Sequence, residues 1–222
     1  MSQNNHGLRK LYLYTKFERF WHWVQAALIM MLLLTGFEIH GAYVLFGFQT
    51  AVEIHSYCGW TWIILYAFIL FWLATTGEWK HYIPTTKMIF AVARYYMIGI
   101  FRGDPHPVPK SERVKHNPLQ RMAYLSIAVA ILPIQMASGF TYYYYNSWPE
   151  WGLEGLTLQT VAFIHTAGAF ALLAFLIGHV YMTTTGHTVL CHMKAMFTGW
   201  EDVPGCAGQE ALLAEEAADS AG

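Results

Sequence analysis

Residues 155–193 read GLTLQTVAFIHTAGAFALLAFLIGHVYMTTTGHTVLCHM, without one Asp, Glu, Lys or Arg. A bilayer core about 30 Å thick is crossed by about 20 apolar residues at 1.5 Å each, so this run is long enough to span, and it carries His165 and His179 inside it. Three more uncharged runs precede it: Phe20 to Phe37, Ile54 to Gly77 and Met122 to Pro149. The composition agrees: of 222 residues, 55% are hydrophobic, 17% aromatic and 12% charged, with mean hydropathy +0.31. A soluble domain carries about 25% charge, so this chain lacks the charge to dress a water-facing surface. The expected fold is an all-α integral membrane four-helix bundle, with helices over about 18–38, 53–77, 119–141 and 157–185 in one membrane domain, 1–204. A soluble enzyme, a disulfide scaffold and a nucleic-acid binder are excluded together. The net charge of −1 and pI near 6.8 say nothing further about partners.

The thirteen Lys and Arg residues orient the bundle. Arg9, Lys10, Lys16 and Arg19 precede the first run. Lys80, Lys87, Arg94, Arg102, Lys110, Arg113, Lys115 and Arg121 lie between the second and third, and Lys194 follows the fourth. Segments 38–53 and 149–156 have none and carry Glu38, Glu53, Glu150 and Glu154 instead. Cytoplasmic loops hold the excess of basic residues, so both termini and the middle loop are expected in the cytoplasm.

The first run exceeds a signal-peptide core of about 7–15 residues and lacks a small-residue cleavage site after it, so it reads as a retained helix. In the middle loop, Thr85 to Phe101 (TTKMIFAVARYYMIGIF) mixes apolar and aromatic residues with Lys87 and Arg94, the composition of a helix lying in the interface plane. The segment GDPHPVPKSERVKHNP after it reads as a surface loop. Residues 205–222 form an acidic tail expected to be disordered or partner-dependent. Cys58, Cys191 and Cys206 have no metal or disulfide spacing. There is no internal repeat, Gly-rich phosphate loop or HExxH.

Of eleven histidines, His6, His81, His106 and His116 fall in loops or at the interface, and His40, His187 and His192 near membrane edges. His22, His55, His165 and His179 fall inside the runs, where an ionisable residue is costly and points to function. His165 and His179 are 14 residues apart; at 3.6 residues per turn they return to within about 40° of one face, about 21 Å apart along the axis. Alternating helix direction matches His55 with His165 toward the outside and His22 with His179 toward the cytoplasm. Two level pairs across a four-helix bundle are what bis-imidazole ligation of two stacked haems requires, since bundle cofactors are held by side chains on facing helices. Gly36, Gly59, Gly139, Gly168 and Gly178 either leave room for a flat macrocycle or only let helices pack. Trp21, Trp23, Trp60 and Trp62 flank the candidates, as an interfacial belt also would. The nearest approach to CxxCH, Thr188-Val-Leu-Cys-His192, lacks its first cysteine, so b-type haem is expected.

Phe20-Trp21-His22-Trp23 after Arg19, His55-Ser56-Tyr57-Cys58-Gly59, Asn117-Pro118-Leu119-Gln120-Arg121, and His165 with His179-Val180-Tyr181 resemble the cytochrome b (gamma) subunits of bacterial respiratory formate dehydrogenases, nickel-iron hydrogenases and thiosulfate reductases, over roughly residues 10–200. The resemblance implies a membrane anchor with two haems b that exchanges electrons with the quinone pool. It also implies an iron-sulfur or multihaem partner subunit on the periplasmic side. In that family an asparagine before the third helix contacts quinone; Asn117 occupies the matching place, with Gln120 a weaker candidate. Asn117-Pro118 also suits a plain helix cap, and the two roles are compatible. The aromatic segment Tyr142 to Trp151 is expected either to dock the partner or to belong to an interfacial belt.

Two other functions fit the same histidines. A proton channel or transporter could use them as a relay, although the paired repeats and broken helices of many transporters are missing. A stand-alone transmembrane b-type reductase would need no periplasmic partner. The leading expectation is an electron-transfer subunit of an oxidoreductase complex rather than a catalytic chain by itself.

Overall fold

In the computed structural model the described residues are 8–83, 88–104, 107, 117–185 and 188–204. In chain order they form strand β1 (Leu8–Tyr12), helix α1 (Lys16–Ile39), helix α2 (Phe48–Thr76), helix α3 (Ile89–Arg94), helix α4 (Pro118–Tyr143), helix α5 (Leu158–Thr183), helix α6 (Cys191–Thr198) and strand β2 (Trp200–Pro204). Helices α1, α2, α4 and α5 are long and apolar enough to cross a membrane.

The helix ends have local causes. At the start of α1, Thr15 and Glu18 form a capping box: Glu18 Oε2 accepts from Thr15 N at 2.7 Å and Thr15 Oγ1 accepts from Glu18 N at 3.2 Å. At its end Glu38, only 5% exposed, accepts the backbone N–H groups of Leu45, Phe46 and Gly47 on one oxygen, each at 2.7 Å. That clamp folds the α1–α2 loop tightly, and α2 starts at Phe48 rather than at 53. Gln49, Thr50 and Glu53 are thus helical outside the apolar run, because helix needs backbone bonds and not hydrophobicity. Gly77 stops α2 with φ +76°, its N–H returning to Leu73 O at 3.1 Å.

Helix α4 contains a wide turn over Ile127–Ile131, in which Leu132 N–H reaches back to Ile127 O. Pro133 sits just beyond it, lacking an N–H to give, and such wide turns are a common way for a helix to absorb a proline. Ala128 O, deprived of the Leu132 donor, accepts the Tyr66 hydroxyl of α2 at 2.7 Å.

The chain forms two compact units. One comprises residues 20–79 and 124–179 and holds most of the long helices. Its core is Trp62, Leu132 and Leu172, surrounded by Leu28, Ile29, Leu32, Tyr66, Ile127, Ile131 and Met136. Many large apolar side chains on its helices stay exposed, among them Phe71 and Phe163, as lipid-facing residues do.

The other unit comprises residues 1–19, 80–123 and 180–222. Here β1 and β2 pair antiparallel, with Lys10 opposite Asp202 and Tyr12 opposite Trp200. This short two-stranded ladder is the one addition to an otherwise helical set of described residues. Its two halves lie nearly a chain length apart, so neither short stretch announces its partner locally. Gly199 turns the chain into β2 with φ +86°, and its carbonyl accepts Leu13 N–H at 2.9 Å. The helix expected over 85–101 begins at Ile89 and continues through a wide turn at Tyr95–Gly99 to Arg102. Residues 84–87 and the tail 205–222 lie outside the described residues.

Candidate cofactor-binding site

The four intramembrane histidines all belong to the unit of residues 20–79 and 124–179. His22 of α1 faces His179 of α5 with ring centroids 6.1 Å apart, and His55 of α2 faces His165 of α5 at the same 6.1 Å. Two metal–nitrogen bonds of about 2.0–2.1 Å each, together with the two ring radii, make about 6 Å between imidazoles that bind one metal from opposite sides. Both pairs therefore fit a bis-imidazole centre. Leu172, in the apolar core, is seven residues from each histidine of α5, so an apolar layer with Trp62 and Leu132 separates the two levels.

The surroundings of the pairs differ. His55 Nδ1 lies 2.9 Å from Thr35 Oγ1, and His165 Nδ1 lies 3.1 Å from Ser138 Oγ. The Gln135 amide donates to His165 Nε2 at 3.3 Å, while its own oxygen is buried without a partner. At the other level, His22 Nδ1 is buried with no hydrogen bond. His179 stacks on Phe175 at 5.7 Å and meets the edge of Tyr124 at 6.5 Å.

The glycines divide into two groups. A Cβ at Gly36 would stand 3.4 Å from His55 Cε1, and one at Gly139 only 2.9 Å from His165 Cε1. Gly168 backs onto the Gln135 side chain in the same way. At Gly59 and Gly178 a Cβ would meet nothing within 4 Å. The first three admit a neighbouring side chain to the helix surface; the last two leave open space.

Thr35, Gln135 and Ser138 were not singled out in the sequence. The signal was available, because all three are polar residues inside uncharged runs and invite the same question as the histidines. Pro133, which accompanies the wide turn of α4, was equally readable.

Asn117 and Gln120 lie in the other unit. They form a reciprocal cap of α4: Asn117 Oδ1 accepts Gln120 N–H at 2.8 Å, and Gln120 Oε1 accepts Asn117 N–H at 3.0 Å. Asn117 Nδ2 donates to the Tyr96 hydroxyl at 3.1 Å. Burial, with Tyr95 alongside, pushes the Tyr96 hydroxyl up to about 12, against a smaller opposite pull from Asn117. The Tyr96 hydroxyl is therefore neutral at any physiological pH. Elsewhere, His192 Nδ1 pairs with the buried Glu201 at 2.9 Å, and His40 Nε2 approaches Thr166 Oγ1 at 3.4 Å. His187 lies outside the described residues.

In the aromatic segment, Trp148 is only 4% exposed and donates from Nε1 to Thr141 O at 2.8 Å. Trp151 is exposed and stacks against Phe140 at 6.1 Å, which contacts Trp60 at 5.8 Å.

The profile of the prokaryotic cytochrome b561 family matches residues 13–199. The chain is similar to YdhU of Escherichia coli (strain K12), which is named as a cytochrome, with 33% identity over 206 residues covering 90% of this chain and 77% of that protein. No solved structure matches. With four apolar helices and this match over most of its length, the chain belongs to the prokaryotic cytochrome b561 family, as an integral membrane protein that binds haem b and takes part in electron transport.

Proposed function

We propose that the chain is the membrane-anchoring, dihaem cytochrome b subunit of a respiratory oxidoreductase of the formate dehydrogenase, hydrogenase or thiosulfate reductase type. In this reading it passes electrons between a periplasmic-side redox partner and the quinone pool. One observation carries it: a facing histidine pair with 6.1 Å between ring centroids occurs twice, the two members on α5 being 14 residues apart. His22 and His179 would hold one haem b, and His55 and His165 the other.

Bound there, haem b supplies a one-electron couple whose potential the protein tunes. The residues of the chain supply everything else. The imidazoles orient the two centres at different depths. Trp62, Leu132 and Leu172 exclude water between them. Asn117 and Gln120, with Tyr96, are the candidates for quinone contact; Asn117 has a second amide hydrogen beyond the one given to Tyr96.

The orientation proposed is that of a bacterial inner-membrane protein with both termini cytoplasmic. The thirteen basic residues and the four spans support it, and the ladder pairs residues 8–12 with 200–204. An iron-sulfur or multihaem subunit would then meet the outer aromatic segment, where Trp151 and Tyr143 are exposed.

The test is haem stoichiometry and spectrum of the purified full chain. Two haems b per chain, six-coordinate and low-spin after dithionite reduction, are expected. One haem or none by pyridine haemochrome would exclude the dihaem reading, and a c-type spectrum would exclude non-covalent attachment.

A further inference from the structure

The hydroxyl groups beside His55 and His165 are not free to play either hydrogen-bonding role. Thr35 Oγ1 donates its only proton to Met31 O at 2.8 Å, one turn back on α1. Toward His55 Nδ1, 2.9 Å away, it has only a lone pair to offer. With the Thr35 proton given to Met31 O, the proton in that contact comes from His55 Nδ1. Ser138 repeats the arrangement on α4, donating to Gln135 O at 3.1 Å and accepting from His165 Nδ1 at 3.1 Å.

A third contact agrees with this tautomer at His165. The Gln135 amide donates to His165 Nε2 at 3.3 Å, which requires the lone pair to lie on Nε2. His165 thus carries its proton on Nδ1 and its lone pair on Nε2, and the Thr35 contact assigns the same tautomer to His55. Thr35 and Ser138 are themselves buried, at 0% and 8% exposure, so water does not compete for these bonds. The other pair lacks this support on α1, where His22 Nδ1 is buried and unpartnered.

From this inequality we propose that Thr35 and Ser138 are positioning residues that lock His55 and His165 in the metal-binding tautomer, and that they make the His55/His165 centre the lower-potential of the two. The inference rests on the dihaem reading given above. Its physical basis is general: an acceptor on the far ring nitrogen orients a ligating imidazole and makes it a stronger donor. A stronger donor favours the oxidised metal and lowers the potential. Electrons then run downhill from the outer pair to the inner pair, the direction that suits quinone reduction.

Redox potentiometry on the full-length, haem-loaded chain tests this. His165→Ala identifies the component that belongs to the outer pair, and in the unsubstituted protein that component should be the lower of the two. Thr35→Val and Ser138→Ala should each keep both haems and shift that component to more positive potential, with the double variant shifting further. Thr35→Ser, which restores the hydroxyl, should return the unsubstituted value. If Thr35→Val instead sheds one haem that Thr35→Ser retains, the positioning role is supported by that loss. Retention of both haems with unmoved potentials would overturn the proposal, and so would a shift in the component that survives His165→Ala. Failure of the dihaem reading has a different signature, since His55→Ala and His165→Ala would then leave the haem content unchanged.

Discussion

Gly139 lies so close to His165 that a Cβ at position 139 would stand 2.9 Å from the ring Cε1. Real Cβ atoms do not approach that closely, and the ring is held behind by Ser138 and Gln135. Gly139→Ala should therefore push the imidazole out of register at a cost of about 1–3 kcal/mol, typical of overpacking. Gly36→Ala, with 3.4 Å to His55, should be much milder. Haem content and thermal denaturation of the two variants check this: an equal loss in both would mean that the close approach at Gly139 is not what positions His165.

The facing rings predict how ligand loss pairs up. His22→Ala and His179→Ala should each remove one and the same redox component, and His55→Ala and His165→Ala the other, because truncation leaves a centre with a single protein bond. Potentiometry of the four variants decides. Loss of the same component in His22→Ala and His55→Ala would refute the pairing.

Asn117 requires two substitutions, because it caps α4 as well as being the quinone candidate. Asn117→Ala removes the cap and should cost about 1 kcal/mol in stability. Asn117→Asp keeps the capping oxygen but loses the amide donor, so it should melt near the unsubstituted temperature. If the amide contacts quinone, Asn117→Asp should still weaken quinone-analogue binding several-fold, as losing a hydrogen bond worth about 1 kcal/mol implies. Inhibitor binding unchanged in a variant that retains its haem would leave Asn117 with the capping role alone.

Within the aromatic segment Tyr142 to Trp151, structure and contact separate onto different residues. Trp148→Ala should destabilise by about 3–5 kcal/mol, as emptying a buried tryptophan site does. Trp151→Ala should cost far less, since Trp151 is exposed. A photocrosslinker at position 151 in intact membranes should capture an iron-sulfur or multihaem protein on the periplasmic side. Capture exclusively by cytoplasmic proteins would overturn both the docking surface and the orientation.

What the amino-acid order determined by itself was whatever depends on composition and spacing along one helix. A long run without charge can cross a bilayer as a helix, which bonds its backbone groups within the segment, so the four spans were legible from residues 20–37, 54–77, 122–149 and 155–193. The separation of His165 and His179 on one face was legible too, since 14 residues nearly complete four turns. Everything that depends on a partner from another segment was decided by tertiary structure. Thr35 in its run is an ordinary polar residue until α2 brings His55 to 2.9 Å, and Ser138 becomes an acceptor for His165 only because α5 crosses beside it. The Leu8–Tyr12 strand exists because Trp200–Pro204 returns to pair with it, and Trp148 turns inward because Thr141 offers a carbonyl. Hydrophobicity and periodicity are properties of one segment; a hydrogen bond needs two groups, and their meeting is written only in the fold.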